Sequence, residues 1–267
     1  MGCVIKLLVD GLAKGIIDLL RKLDVDVDVA DFLVGVKYSY VEVYGVKGRS
    51  LGVAITPLED IVGLAQADVE KPSLENLSSL VASINPVEKA LGIAFVNALS
   101  NYLLWNLRYV EGFDLIEVKS FIEALPSFAE EPIVVIGNMP PLVAKLQQAG
   151  FSDIAVLERN PLARRNCYPD TAAPRIIPKA RTLIITGATL VNDTIDYILQ
   201  LNEKAKKIIV GPTANSYPKL LLNGGIDIVA SIAPVDVEKV KAVIKLGGGR
   251  WVFYKHCREY VAHSLTR

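Results

Sequence analysis

The stretch from residue 133 to residue 161, IVVIGNMPPLVAKLQQAGFSDIAVLERNP, constrains the fold more than any other in this chain. An apolar, β-branched run from Ile133 to Ile136 stops at Gly137. A short amphipathic helix follows from Pro140 to Gln148 and ends at Gly150, and a second apolar run finishes on Glu158. That order is a βαβ unit. Its carboxylate, about 20 residues beyond the first turn, stands where a Rossmann-like domain places a ribose-binding acid. The turn reads Gly137-Asn138-Met139-Pro140-Pro141, so the second and third glycines of the dinucleotide fingerprint are absent. Without them the backbone cannot approach a pyrophosphate in the usual way. A βαβ unit that holds no nucleotide is therefore an equal reading of the motif.

The rest of the second half continues the alternation. Strands are expected at 182–186, 207–210 and 226–232, with helices at 190–201, 217–222 and 235–246, and a last helix after the glycines at 247–249. This is the pattern of a parallel sheet covered on both faces. Between Glu158 and the next strand lies an irregular segment, 159–180, with prolines at 161, 169, 174 and 178. It holds Arg164, Arg165, Cys167, Tyr168 and Asp170 and is long enough to act as a lid.

The first half reads as α+β. An amphipathic helix opens the chain, and strands at 32–44 and 51–56 flank a Gly-rich turn, which makes a hairpin. Another helix spans about 72–84. Asn85-Pro86-Val87-Glu88 then supplies an N-cap, a proline at the first helical position and an acid at the third. The helix that follows, through GIAFVNALSNYLLWN, is apolar on nearly every face and belongs at the centre of its domain. The expected fold is α/β: an α+β domain at 1–125, then a Rossmann-like domain at 126–267.

Composition excludes several classes. In 267 residues, 51% are hydrophobic, 22% are charged and the formal net charge is +0. A balanced charge argues against nucleic acid and against an anionic membrane surface as partners. Residues 90–105 are too short for a comfortable membrane span and carry Asn97 and Asn101. Cys3, Cys167 and Cys257 show no CxxC spacing, so reduced thiols and a cytoplasmic location are expected. Homo-oligomerisation is left open.

Ligands of open parallel sheets bind beyond the carboxyl ends of the strands. Four segments leave the sheet there: Gly137-Asn138, Glu158-Arg159-Asn160-Pro161, Thr186-Gly187-Ala188-Thr189 and Gly211-Pro212-Thr213. Gly and hydroxyl residues at helix starts leave backbone N–H groups free for an anion, although each turn is also an ordinary cap. Asn97 is the odd residue of the central helix. Its amide either satisfies nearby backbone or faces a cleft, because burying it unpaired costs a few kcal/mol. No metal motif is present: His256 and Cys257 are adjacent on an expected helix, and HxxxH is absent. Glu158 and Cys167 are the metal-ligand candidates, and a divalent metal is the cofactor candidate.

The segments VASINPVEKALGIAFVNALSN, IVVIGNMPPLVAKLQQAGFSDIAVLERNP, TLIITGATLVNDTIDYILQL and IIVGPTANSYPKLLLNGGIDIVAS together resemble the putative heavy-metal chelation family over nearly the whole chain. The resemblance implies an N-terminal domain like that of enolase, a Rossmann-like C-terminal domain and a ligand site between them. It also implies a role in handling metals or metallated tetrapyrroles. It carries over Asn97, Glu158, Pro161, Thr186, Gly187, Thr189, Asn192, Gly211, Pro212 and Thr213 as site residues. The expected function is binding of an anionic small molecule or metal chelate in the interdomain cleft, with Glu158 and Asn97 facing it from opposite domains. A nucleotide-dependent enzyme that places Glu158 on the ribose of S-adenosylmethionine or NAD is one alternative. A structural or regulatory protein with a vestigial pocket is the other.

Overall fold

A computed structural model describes residues 7–61 and 69–265. The first half is a three-stranded antiparallel sheet, β1 (Val27–Leu33), β2 (Tyr38–Gly45) and β3 (Gly48–Ile55), in the order β1-β2-β3. It is covered by α4 (Pro86–Asn101), on which α1 (Leu8–Lys22) and α3 (Leu77–Ala82) pack in turn, while the short α2 (Leu58–Ile61) leaves the end of β3. The expected hairpin is β2–β3, but the strand expected at 32–44 is two: Phe32 and Leu33 end β1, the chain turns over residues 34–37, and β2 begins at Tyr38. Asn85 caps α4 as its motif predicts, its side chain accepting from the Val87 N–H at 3.0 Å. Every residue of α4 from Lys89 to Asn101 is buried, which requires close approach on all sides. A side chain at Gly52 would run into the backbone of Ala94 and Ala98, so glycine is what lets β3 lie directly on α4.

The second half is an eight-stranded sheet in the order β4-β11-β10-β9-β8-β5-β6-β7. Its members are β4 (Phe113–Val118), β5 (Ile133–Ile136), β6 (Ile154–Glu158), β7 (Tyr168–Pro169), β8 (Thr182–Thr186), β9 (Lys206–Val210), β10 (Ile228–Pro234) and β11 (Cys257–Ser264). Strands β5 to β10 are parallel, and β11 and β4 pair antiparallel at one edge. Counted along the chain, the parallel strands run third, second, first, fourth, fifth, sixth, the dinucleotide-fold order, so the direction of winding reverses between β5 and β8. Helices α6 (Pro140–Gln148), α8 (Ile195–Leu201), α9 (Pro218–Asn223) and α10 (Val237–Lys245) connect them. The predicted pairing of 133–136 with 182–186 is present, Ile133 opposite Thr182 and Ile136 opposite Ile185. No helix among the described residues is long and apolar enough to cross a membrane.

Three local expectations are corrected. The tail after 247–249 is helical only over α11 (Arg250–Phe253) and then becomes β11, because CREYVAHS supplies an apolar face that covers the open side of β10. His256 and Cys257 therefore sit at a strand start, not on a helix. Residues 113–118, where no strand was expected, form β4 and hydrogen-bond to β11 of the second sheet. The helix expected from 190 begins at Ile195, since Gly187–Leu190 closes a 3-10 turn first.

A polar seam holds the halves together. The side chain of Asn97, fully buried, donates to Val53 O (2.9 Å) and Thr213 O (3.0 Å) and accepts from Ser216 Oγ (2.9 Å). The Ile55 N–H donates to Thr213 Oγ1 at 2.9 Å, and the Tyr217 N–H to Ser100 Oγ at 2.8 Å. Asn97→Ala orphans two carbonyls and a hydroxyl. Equilibrium urea unfolding should show a loss of about 2–3 kcal/mol, as for buried polar groups stripped of partners; a loss below about 0.5 kcal/mol would contradict this role for Asn97.

Candidate functional site

At the carboxyl ends of β5, β6 and β8, where the winding reverses, the chain encloses a cavity of about 310 Å³. Each wall follows from local chemistry. After β5 the chain turns sharply at Gly137, whose φ of 96° lies in the left-handed region, and its N–H donates to Leu157 O at 2.8 Å. A Cβ there would fall 2.8 Å from Thr186 Cγ2, so glycine lets the β5 turn lie against the end of β8. Glu158 ends β6 with its carboxylate between two turns: Oε2 accepts from the Asn138 N–H and Oε1 from the Asn160 N–H, both at 2.7 Å. Arg164 closes the loop beyond, Nε donating to Glu158 O (3.0 Å) and Nη2 to Arg159 O (2.9 Å).

The opposite wall follows β8. Thr189 Oγ1 donates to Thr186 O at 2.8 Å, and Asn192 Oδ1 accepts from Thr194 Oγ1 at 2.7 Å. Asp193, between them, is left-handed with φ 57° and pairs with Lys89, which is buried on α4. The first half contributes Ile55 and Glu59. Asp60, next to Glu59, grips Arg159 through two contacts of 2.6 Å, which raises the basicity of that guanidinium further. The cavity thus lies between the two halves of the chain. Among the described residues its carboxylates are Glu59, Glu158 and Asp170, against the guanidinium of Arg159.

Of the residues expected at a site, Gly137, Glu158, Thr186, Thr189 and Asn192 line this cavity. Asn97 does not; its amide is fully used inside the seam, the bland alternative of the two its position allowed. Thr213 serves the same seam through both its hydroxyl and its carbonyl. Gly187, Gly211 and Pro212 belong to the packed turns behind the cavity rather than its lining, and Pro161 is exposed outside it. Residues 163, 170, 173 and 177 of the irregular segment form part of the wall. Sequence reasoning missed Ile55, Glu59 and Tyr197, which line the cavity from distant parts of the chain. The one signal for them was the acidic pair Glu59-Asp60 directly after a strand. A larger depression of about 950 Å³ at the amino ends of β9 and β10, bordered by Lys206, Asp227 and His263, is open to solvent and lies away from the strand ends that bind ligands.

A bare metal ion finds no ligand set here. Among the described residues, no three His, Cys, Asp or Glu side chains stand together to hold one. The Cys167 thiol donates to Arg165 O at 3.1 Å. Burial pushes the Cys167 thiol up, and the negative charge of Glu158 adds to this against the opposing Arg164, so the thiolate that a metal needs is disfavoured.

The family model DUF364, described as "Putative heavy-metal chelation", matches residues 120–263, and a second model with the same description, DUF4213, matches residues 17–100. This chain belongs to the Putative heavy-metal chelation family. An uncharacterized protein of Methanocaldococcus jannaschii is 32% identical over 259 residues, covering 95% of this chain and 97% of that one. The crystal structure of a family protein of unknown function from Pyrococcus horikoshii superposes with a TM-score of 0.80 at 31% identity, over 96% of this chain and 99% of the other. A second family protein of unknown function, from Desulfitobacterium hafniense, matches in fold with a TM-score of 0.70 at 20% identity, over 95% and 96% of the two chains. Membership thus joins a fold with a description that points to metal binding.

The two described thiols of this family member give a direct check of their own local environments. Burial holds Cys257 at about 12, and Cys167 is raised by a smaller enclosure. With iodoacetamide at pH 7.5 and peptide mapping, Cys257 should label slowest, with Cys167 ahead of it but behind free cysteine. Labelling of Cys257 at the rate of free cysteine would show that its environment is not the buried one described.

Proposed function

We propose that the protein binds a small organic ligand or metal chelate, neutral or positively charged and carrying hydrogen-bond donors, in the cleft around Glu158. The observation that carries this reading is the cavity at the winding reversal with a strand-end carboxylate on its wall, the place where open α/β sheets take their ligands. The charge balance supports a departure from the anionic ligand expected from sequence: three carboxylates face one guanidinium that Asp60 already neutralises. A volume of about 310 Å³ stands at the small end of ligand pockets, which favours a compact complex over a full tetrapyrrole. A metal in this reading arrives inside its chelate, because no bare-ion ligand set stands together among the described residues. Heavy-metal chelation in the family description is compatible with such an occupant.

Two inert cobalt complexes of opposite charge separate the possibilities. Hexaamminecobalt(III), cationic and rich in N–H donors, should raise Tm by about 5 °C or more at a hundredfold excess over its Kd, while the anionic cobalt–EDTA complex should give no shift. Asp170→Asn and Glu59→Gln should each weaken the cation's binding, and Glu158→Gln should weaken it about tenfold or more. Stabilisation by the anionic complex alone would overturn the charge assignment. Cation binding that persists unchanged in all three variants would move the site elsewhere.

A further inference from the structure

We infer that the organic ligand of the cleft is a ribonucleoside that carries no phosphate beside the β5 turn and is neutral or cationic, of the S-adenosylmethionine kind rather than a dinucleotide. This rests on the reading of the cleft as a ligand site and names its occupant. The first support is topological. In a sheet wound in this order the ribose acid ends the second strand, and Glu158 ends β6, the second parallel strand. A carboxylate offers about four acceptor positions. The Asn138 and Asn160 N–H groups occupy one on each oxygen, which fixes the carboxylate's orientation and leaves one on each for a vicinal diol.

The second support is what the helix start withholds. A dinucleotide needs free N–H groups at the first turn of the helix after β5 to hold its pyrophosphate. Here α6 begins with Pro140 and Pro141, which have no N–H, and the next two, Leu142 and Val143, both donate to Met139 O, at 3.0 and 3.1 Å. Residues 140–143 therefore offer no donor for a phosphate, which leaves the single N-cap N–H of Met139 where a pyrophosphate takes several. The charge of the cavity acts in the same direction, since Glu59 and Asp170 repel a phosphate and attract a sulfonium or ammonium group. The remaining wall, from Leu157, Ala173, Ile177 and Ile198, is apolar and suits the faces of a base.

Calorimetric titration of the full chain with S-adenosylmethionine, adenosine, 2′-deoxyadenosine, 3′-deoxyadenosine, AMP and NAD tests this. Adenosine and S-adenosylmethionine should bind, loss of either ribose hydroxyl should weaken binding about tenfold, and AMP and NAD should bind at least tenfold more weakly than adenosine. In Glu158→Gln the difference between ribose and deoxyribose should shrink; if that variant fails to fold, the comparison of the ribo and deoxy compounds on the natural protein decides alone. Equal binding of ribo and deoxy compounds, or AMP or NAD binding as tightly as adenosine, would overturn the inference. Binding of hexaamminecobalt(III) with no nucleoside bound would overturn it while leaving the cleft as a ligand site; binding of neither would remove both.

Discussion

The buried amide of Asn97 is the contact on which the rest of the arrangement depends. Helix α4 is apolar on nearly every face, so hydrophobic packing alone would fix its burial but not its register against the second sheet. A carboxamide with both ends satisfied fixes it. Its donors reach β3 and the turn after β9, its oxygen takes the Ser216 hydroxyl, and leaving any of these unpaired in a dry interface costs more than the bond itself contributes. Gly52 permits the contact by letting β3 lie against the α4 backbone. Once that seam is set, the end of β3 must pass over the carboxyl edge of the large sheet, and Ile55 and Glu59 arrive at the cleft as a consequence.

Charge pairs then hold what the seam has placed. Lys89 reaches from α4 to the left-handed Asp193, in the middle of the 192–194 wall, and Arg159 joins the end of β6 to Asp60 of α2. Farther from the cleft, Lys241 of α10 meets Asp31 and the fully buried Glu42, each at 2.7 Å, across the same boundary. Pairs of this kind, with at least one partner partly exposed in all but Lys241–Glu42, contribute little net stability, because screening and desolvation offset attraction. Their effect is on geometry, since a shifted half would leave a buried charge unpaired. The cleft is therefore built between elements locked to one another, as tight recognition of a small ligand requires.

Much of the second half was legible because β5, β8 and β9 are short apolar runs ended by a Gly or hydroxyl turn, and the motif from Ile133 to Glu158 fixed where the winding starts; β7, only Tyr168–Pro169, had no such run and was not expected. The position of Glu158 followed from that alone, and the structure places it on the cavity wall. What could not be read depends on contacts between distant segments. Asn97 offered two destinations for its amide, and only the approach of Ser216 and Thr213, more than a hundred residues away, selects the structural one. The tail CREYVAHS was read as helix because the glycines before it suggested a helix start; it becomes a strand because β10 presents an edge to pair with. Glu59 was invisible as a site residue, since nothing local ties it to β6 or β8.

Family membership points to metals, and the function proposed above is a ligand that brings its own coordination sphere. Both meet in the central claim that Glu158, fixed by two backbone N–H groups, is the acceptor at the centre of an interdomain cleft. The most direct measurement is a crystal structure of the full chain grown with whichever compound stabilises it most. The account predicts ligand density between the Asn138 turn and the Thr189–Asn192 wall, with a donor of the ligand within hydrogen-bonding distance of the Glu158 carboxylate. Density confined to another surface, with the Glu158 carboxylate facing nothing but its own backbone partners, would contradict it.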